Sequence, residues 1–116
     1  MENEVVISKM ESEIVDSVQR AVCDYFNINE DGLMTNKNFR YVYIRRLCLF
    51  LIKENTTLSL NDLSAMFHVE RSNIFKGIDV IKFQKGIYTS VAYDVKNIYR
   101  IANNFEKKFE WQLPLQ

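Results

Sequence analysis

The stretch from Thr56 to Lys85 constrains the fold of this chain more than any other segment. Ser59 is followed three residues later by Asp62, a spacing typical of a capping box at the start of a helix. The short apolar helix predicted after this start ends in a tight turn at residues 68–69, and a second helix begins near residues 70–72. Two helices joined by such a turn are the sequence pattern of a helix-turn-helix.

Three further segments place apolar residues at helical spacing. Residues 12–26 do so in steps of four and predict an amphipathic helix. Residues 38–55 are apolar on nearly every side, which predicts a central helix, and residues 89–105 predict the last one. Residues 27–36 are polar and predict a turn, with Leu33 as its apolar anchor. The chain is therefore predicted to be all-α, a single-domain bundle of about five helices containing a helix-turn-helix.

The composition agrees with one globular domain. The 116 residues are 47% hydrophobic and 26% charged, which excludes a disordered chain, and the 3 Gly and 1 Pro disfavour a many-turned β fold. We expect an acidic N-terminal segment over residues 1–11, a helical domain over residues 12–106 and a tail over residues 107–116.

Several classes of protein are not expected from this sequence. The first 13 residues carry four Glu and no apolar run typical of a signal peptide, and Leu47–Ile52 is too short to span a bilayer. We therefore expect a cytoplasmic protein that does not bind membranes. Cys23 and Cys48 are interpreted as reduced core thiols, and with the single His68 they are too few for a structural zinc site. No metal or cofactor is expected.

Charge is distributed unevenly along this neutral chain. Residues 1–34 hold 8 acidic and 2 basic groups, whereas residues 35–85 hold 9 basic and 4 acidic groups. This asymmetry can give a neutral protein a basic face of the kind that DNA phosphates require. Ordinary solvated surface charge would explain the same counts, so composition alone leaves both interpretations open.

The start of the second helix of the motif is the candidate site for reading DNA bases. In a helix-turn-helix this end enters the major groove. Arginine can pair with guanine, asparagine with adenine, and serine with either a base or a phosphate. Any solvent-exposed helix start has a similar composition, which is the alternative. The candidate base contacts are Glu70, Arg71, Ser72 and Asn73.

Contacts to phosphates are needed as well, because they dominate affinity for DNA. Basic side chains and hydroxyls near the motif are the candidates, although arginines inside an apolar helix can also simply extend to the rim of a core. The candidates are Lys37, Arg40, Arg45, Lys53 and Lys76, with the hydroxyls of Thr56, Thr57 and Ser59.

Several of these segments together resemble a known family. Residues 22–28 and then Leu33 are similar to that family's opening helix and turn, and residues 45–54 look like its arginine-led central helix. Residues 56–63 and then Phe67 match its threonine, serine and leucine spacing with a following phenylalanine. In order and spacing the chain resembles the C-terminal DNA-binding domain of the bacterial chromosomal replication initiator DnaA.

The resemblance covers about residues 22–81, and more loosely residues 14–105. It implies a Trp-repressor-like helix-turn-helix, double-stranded DNA as the ligand, and a role in replication initiation or its regulation. Lys37 falls where the family uses an arginine in the minor groove, and residues 70–73 fall on its base readers. The residues in its backbone-contact region are Arg45, Lys53, Thr56, Ser59 and Leu60.

The chain departs from the family at its signature. The family has a glycine-rich turn followed by arginine, aspartate, histidine, two threonines and valine, whereas residues 68–74 here read His-Val-Glu-Arg-Ser-Asn-Ile, one residue shorter. The family's usual binding-site sequence is therefore not expected. Gly77 falls where the family has a small alanine, which predicts close helix packing. No phosphate-binding loop of the P-loop type occurs, so ATP-driven melting of an origin is not expected of these residues.

A protein-interaction module on the same fold is the alternative function. The acidic N-terminal third, the neutral total charge and the altered signature favour it, and the aromatic tail with Phe109, Trp111 and Leu113 could supply the contact surface. An enzyme is not expected, because His68 lies in a predicted turn without a nearby cysteine or a clear acidic partner.

Overall fold

The computed structural model describes residues 7–105 of the chain. These residues form six α-helices, and no β-strand occurs among them. The prediction of an all-α fold with a helix-turn-helix is confirmed. The candidate contact residues of the tail, at positions 109, 111 and 113, lie outside the described residues. The helices are α1 (Lys9–Phe26), α2 (Glu30–Leu33), α3 (Phe39–Asn55), α4 (Leu60–Phe67), α5 (Arg71–Ile87) and α6 (Thr89–Phe105).

Local capping sets where the helices begin and end. The Ser8 side chain accepts a hydrogen bond from the Glu11 N–H, so α1 starts at Lys9, three residues before the predicted start. At the other end of α1, Asn27 adopts the left-handed conformation with φ 56° and its N–H bonds the helix carbonyls. Ser59 and Asp62 form the predicted capping box at the start of α4.

The short helix α2 is the one element that the sequence pattern did not predict. The Asn29 side chain accepts a hydrogen bond from the Asp31 N–H at 2.9 Å, and two acidic residues occupy the first turn, where the helix dipole favours them. Leu33 is fully buried, as its predicted role as an anchor requires. Four residues are too few for a repeating apolar pattern, so the segment looked like a turn.

Helix α3 is the centre of the bundle. All six residues from Leu47 to Ile52 are buried, and α3 packs against both α1 and α5. Helix α6 closes the other side against α1 and α5. The Asp94 carboxylate of α6 accepts hydrogen bonds from the Tyr25 hydroxyl at 2.6 Å and the Tyr43 hydroxyl at 2.7 Å, which ties α1, α3 and α6 together.

A three-residue turn joins α4 to α5 at residues 68–70. His68 ends α4 in the left-handed conformation, with φ 56° and ψ 42°, where glycine is favoured. His68 is exposed and caps a helix, so its place in the fold is the one predicted for it.

Helix α5 approaches α3 closely at Gly77. A Cβ atom on Gly77 would lie 2.7 Å from the Arg46 Cγ, whereas a Cβ on Gly86, near the end of the same helix, would meet nothing within 4 Å. The predicted need for a small residue at this position therefore has a physical cause, since the Arg46 side chain lies directly across the α5 backbone.

These two glycines give a matched test of the contact between α3 and α5. We expect Gly86→Ala to raise the free energy of unfolding by about 0.5 kcal/mol, because alanine favours a helix more than glycine does. We expect Gly77→Ala to lower it by about 1 kcal/mol, because Arg46 must move. Urea unfolding of both variants measures the difference, and equal stabilisation by both would show that the contact is loose.

Both cysteines are free and buried, as expected of core thiols. Burial, together with the charge of Glu30, raises the pKa of the Cys23 thiol to about 11, and burial also raises the pKa of Cys48. No helix among residues 7–105 combines the length and the apolar character needed to cross a membrane.

Candidate nucleic-acid interface

The four candidate base-contacting residues lie together at the start of α5. Glu70 is the N-cap, and Arg71, Ser72 and Asn73 form the first turn, all with exposed side chains. Lys76 is exposed one turn further on. The opposite side of α5 is in the core, where Ile74, Ile78 and Ile81 are buried. This division leaves the polar residues free to meet a ligand while the isoleucines hold the helix in place.

Several groups at the beginning of α5 favour a bound anion, and the exposed Glu70 carboxylate opposes them. The Asn73 N–H donates to the Glu70 carbonyl at 3.0 Å, but the Glu70 side chain makes no capping hydrogen bond, so it leaves the Arg71 and Ser72 amide groups to an anion. The helix dipole adds partial positive charge at this end, and Arg71 and Lys76 add full charges. Arg71, Lys76 and the helix dipole would therefore stabilise a DNA phosphate beside this end.

A groove of about 290 Å³ runs between α3 and α5 beside the candidate base contacts. Asn73 lines it from α5, and Arg45 and Arg46 line it from α3. The structure thus brings two arginines of the central helix next to a candidate base reader. Arg46 was not among the predicted site residues, because its neighbour Asn73 lies 27 positions away and one sequence gives no sign of that proximity.

The Arg45 guanidinium is engaged inside the protein. Its Nε donates to the Leu33 carbonyl at 2.9 Å, and its Nη2 donates to the Asn36 carbonyl. The side chain is half-buried, and burial lowers the pKa of the guanidinium from its usual range. Arg45 therefore fastens the segment between α2 and α3 to the central helix, which is a structural task besides the phosphate contact predicted for it.

Lys37 and Arg40 lie at the segment that Arg45 fastens. Lys37 is exposed in the loop between α2 and α3. Arg40 is exposed in the first turn of α3, and its Nη2 donates to the Phe26 carbonyl at 2.9 Å near the end of α1. The backbone next to Lys37 is thus fixed by the hydrogen bond between Arg45 and the Asn36 carbonyl. The Arg40 guanidinium already has a partner, because it donates to a carbonyl at the end of α1.

The remaining predicted phosphate contacts surround the start of α4. The Thr56 hydroxyl donates to the Ile52 carbonyl at 2.8 Å, and the Ser59 hydroxyl accepts from the Asp62 N–H at 3.0 Å, so both serve helix ends. Lys53 and Leu60 are half-buried and line a second groove of about 300 Å³ together with Phe75 of α5. This groove lies on a different face of α5 from the one that Asn73 lines.

Comparison with known proteins agrees with this geometry. The family described as the bacterial DnaA protein helix-turn-helix matches residues 15–81, more than half of the chain. The chromosomal replication initiator protein DnaA of Oleidesulfovibrio alaskensis is 29% identical over 84 residues, which cover 72% of this chain and 18% of that relative. The chain thus spans less than a fifth of the length of that relative. No solved structure matches significantly. The resemblance seen in the sequence is confirmed, and the chain belongs to the family of bacterial DnaA helix-turn-helix domains.

Proposed function

We propose that this chain binds double-stranded DNA through α4 and α5, reads the base sequence with the start of α5, and acts in replication initiation or its regulation. The observation that carries the proposal is the exposed first turn of α5, with Arg71, Ser72 and Asn73 projecting from a helix whose other side is buried. The family of the chain gives the replication setting.

The residues at this end can read DNA by hydrogen bonding. The Arg71 guanidinium can bind guanine O6 and N7, and the Asn73 amide can bind adenine N6 and N7. Ser72 can donate to a base or to a phosphate. Because these residues differ from the family signature, we propose that the preferred sequence differs from the family's usual site.

We assign the phosphate contacts to exposed lysines, one on the reading helix α5 and one in the segment between α2 and α3. Lys76 lies one turn beyond Asn73, and Lys37 is exposed in the segment between α2 and α3, next to Asn36, whose carbonyl accepts a hydrogen bond from Arg45. The first amide groups of α5 can add a phosphate contact of their own. Arg45, Arg40, Thr56 and Ser59 keep intramolecular partners in the free protein, so we assign them mainly to holding this surface in shape.

The proposed function needs no catalytic step and no cofactor. His68 is an exposed helix cap, and residues 7–105 hold no group of three or more His, Cys, Asp or Glu side chains that could bind a metal ion. The cytoplasm, which contains the bacterial chromosome, is the compartment that this function requires.

Fluorescence anisotropy with a mixed-sequence duplex tests the proposal. Between about 50 and 200 mM salt we expect affinity to fall about a hundredfold, the effect of four released counterion contacts. Lys76→Ala should reduce the slope of log affinity against log salt by about 0.9. The matched variant Lys96→Ala removes an exposed lysine from α6, which is not part of the helix-turn-helix, and should leave the slope unchanged. Absence of binding at the lower salt would overturn the proposal.

A further inference from the structure

One carboxylate of α1 contacts the segment that leads into α4. The Glu11 Oε2 atom accepts two hydrogen bonds from Thr57, one from its backbone N–H at 2.6 Å and one from its hydroxyl at 2.7 Å. The two residues are 46 positions apart. Both donors of one residue therefore converge on a single anionic oxygen that belongs to an element outside the helix-turn-helix.

Three neighbouring donors of this segment bond to residues within four positions of their own. The Thr56 hydroxyl donates to the Ile52 carbonyl, the Leu58 N–H donates to the Thr56 hydroxyl, and the Ser59 N–H donates to the Asp62 carboxylate. Thr57 differs from these residues. Its side chain is exposed, and both its N–H and its hydroxyl donate to the carboxylate of Glu11 in α1, which is distant in sequence.

An amide and a hydroxyl aimed at one charged oxygen are the donors that proteins use to hold DNA phosphates. Thr57 lies three residues before Leu60, the first residue of α4, so the positive end of that helix dipole is close. The first helix of a helix-turn-helix crosses the DNA backbone. A phosphate oxygen at Thr57 would therefore meet the same donors that the Glu11 carboxylate meets in the structure.

We propose that Thr57 is a phosphate-binding position which Glu11 occupies in the free protein, so that Glu11 acts as a built-in competitor of DNA. This inference rests on the proposed function. Release requires only rotation of the Glu11 side chain, because the Ser8 side chain holds the Glu11 backbone N–H and keeps the start of α1 in place. The carboxylate also repels phosphates as long as it remains at Thr57.

Removing the carboxylate should strengthen DNA binding. We expect Glu11→Ala to bind a mixed-sequence duplex about five- to tenfold more tightly at 0.1 M salt, with a salt slope steeper by about 0.9, the effect of one added phosphate contact. Asp16→Ala is the matched control, because it removes an exposed carboxylate from the same helix and changes the net charge equally. The DNA affinity of Asp16→Ala should rise by less than about twofold, because salt at this concentration screens most of the long-range repulsion between Asp16 and the DNA phosphates.

A double-mutant cycle separates this role from a structural one. Thr57→Val removes the hydroxyl, and in that background Glu11→Ala should gain clearly less than in the wild type. Thermal unfolding serves as the second readout, because Glu11→Ala loses two hydrogen bonds and should melt at a lower temperature. If the contact between Glu11 and Thr57 only stabilised the fold, Glu11→Ala would be less stable but would not bind DNA more tightly.

The outcomes distinguish this inference from the proposed function. Binding by the wild type with unchanged or weaker binding by Glu11→Ala would overturn the competitor role and leave DNA binding standing. Binding by Glu11→Ala at salt concentrations at which the wild type no longer binds would support the competitor role. Absence of binding by both proteins would overturn the inference together with the proposed function.

Discussion

Replacing Arg71 and Asn73 together by alanine should abolish discrimination between DNA sequences while leaving non-specific binding largely intact. Both side chains are exposed in the first turn of α5 and both can form paired hydrogen bonds with a base. Each such pair is worth about 1–3 kcal/mol of discrimination, so the ratio of affinities for a preferred and a scrambled duplex should fall by at least about thirtyfold. Competition titrations with the two duplexes measure this ratio.

The matched control removes the same residue types from another helix. The Arg100 Nη1 donates to the Asn97 Oδ1 at 2.9 Å on α6, which is not part of the helix-turn-helix. The variant Asn97→Ala with Arg100→Ala should keep the wild-type ratio. If the Arg71 and Asn73 variant instead weakened binding to both duplexes by the same factor, these residues would be general contacts and the start of α5 would not read sequence.

Replacing Arg45 by methionine should act mainly on stability. The carbonyls of Leu33 and Asn36 lose their guanidinium donor, and hydrogen bonds to charged groups contribute about 1.5–3 kcal/mol. We therefore expect the free energy of unfolding to fall by about 2 kcal/mol in urea titrations. The segment that carries Lys37 should also lose its fixed position.

Lys37→Met is the companion variant, since it removes a positive charge from an exposed side chain of the same segment. It should reduce the salt slope of DNA binding by about 0.9 and leave the unfolding free energy within about 0.5 kcal/mol of the wild type. If Arg45→Met changed the salt slope of DNA binding but not the free energy of unfolding, Arg45 would be a direct phosphate contact and not an anchor.

The helices were largely predictable from the sequence because local rules determine them. Apolar residues at three- and four-residue steps gave α1, α3, α5 and α6, and the spacing of Ser59 and Asp62 gave the start of α4. Helix α2 was missed because one turn has no periodicity. The early start of α1 was missed because the Ser8 cap precedes any apolar residue of the buried stripe.

The candidate site was predictable only where it is contiguous in the chain. Residues 70–73 stay together because they share one helical turn. The partners of Arg45, the approach of Arg46 to Gly77 and the bond between Glu11 and Thr57 join residues far apart in sequence, so their roles depend on tertiary packing. A basic side chain looks the same in a sequence whether it faces a phosphate or a carbonyl of its own protein.

Selection from a pool of random duplex DNA tests the central claim most directly. Duplex retained by the wild-type protein at about 100 mM salt, where phosphate contacts are partly screened, would be sequenced after several rounds. The proposed function requires an enriched motif that disappears when Arg71 and Asn73 are replaced by alanine. Salt-sensitive retention without any enriched motif would contradict sequence reading by α5 and leave a domain that binds only the DNA backbone.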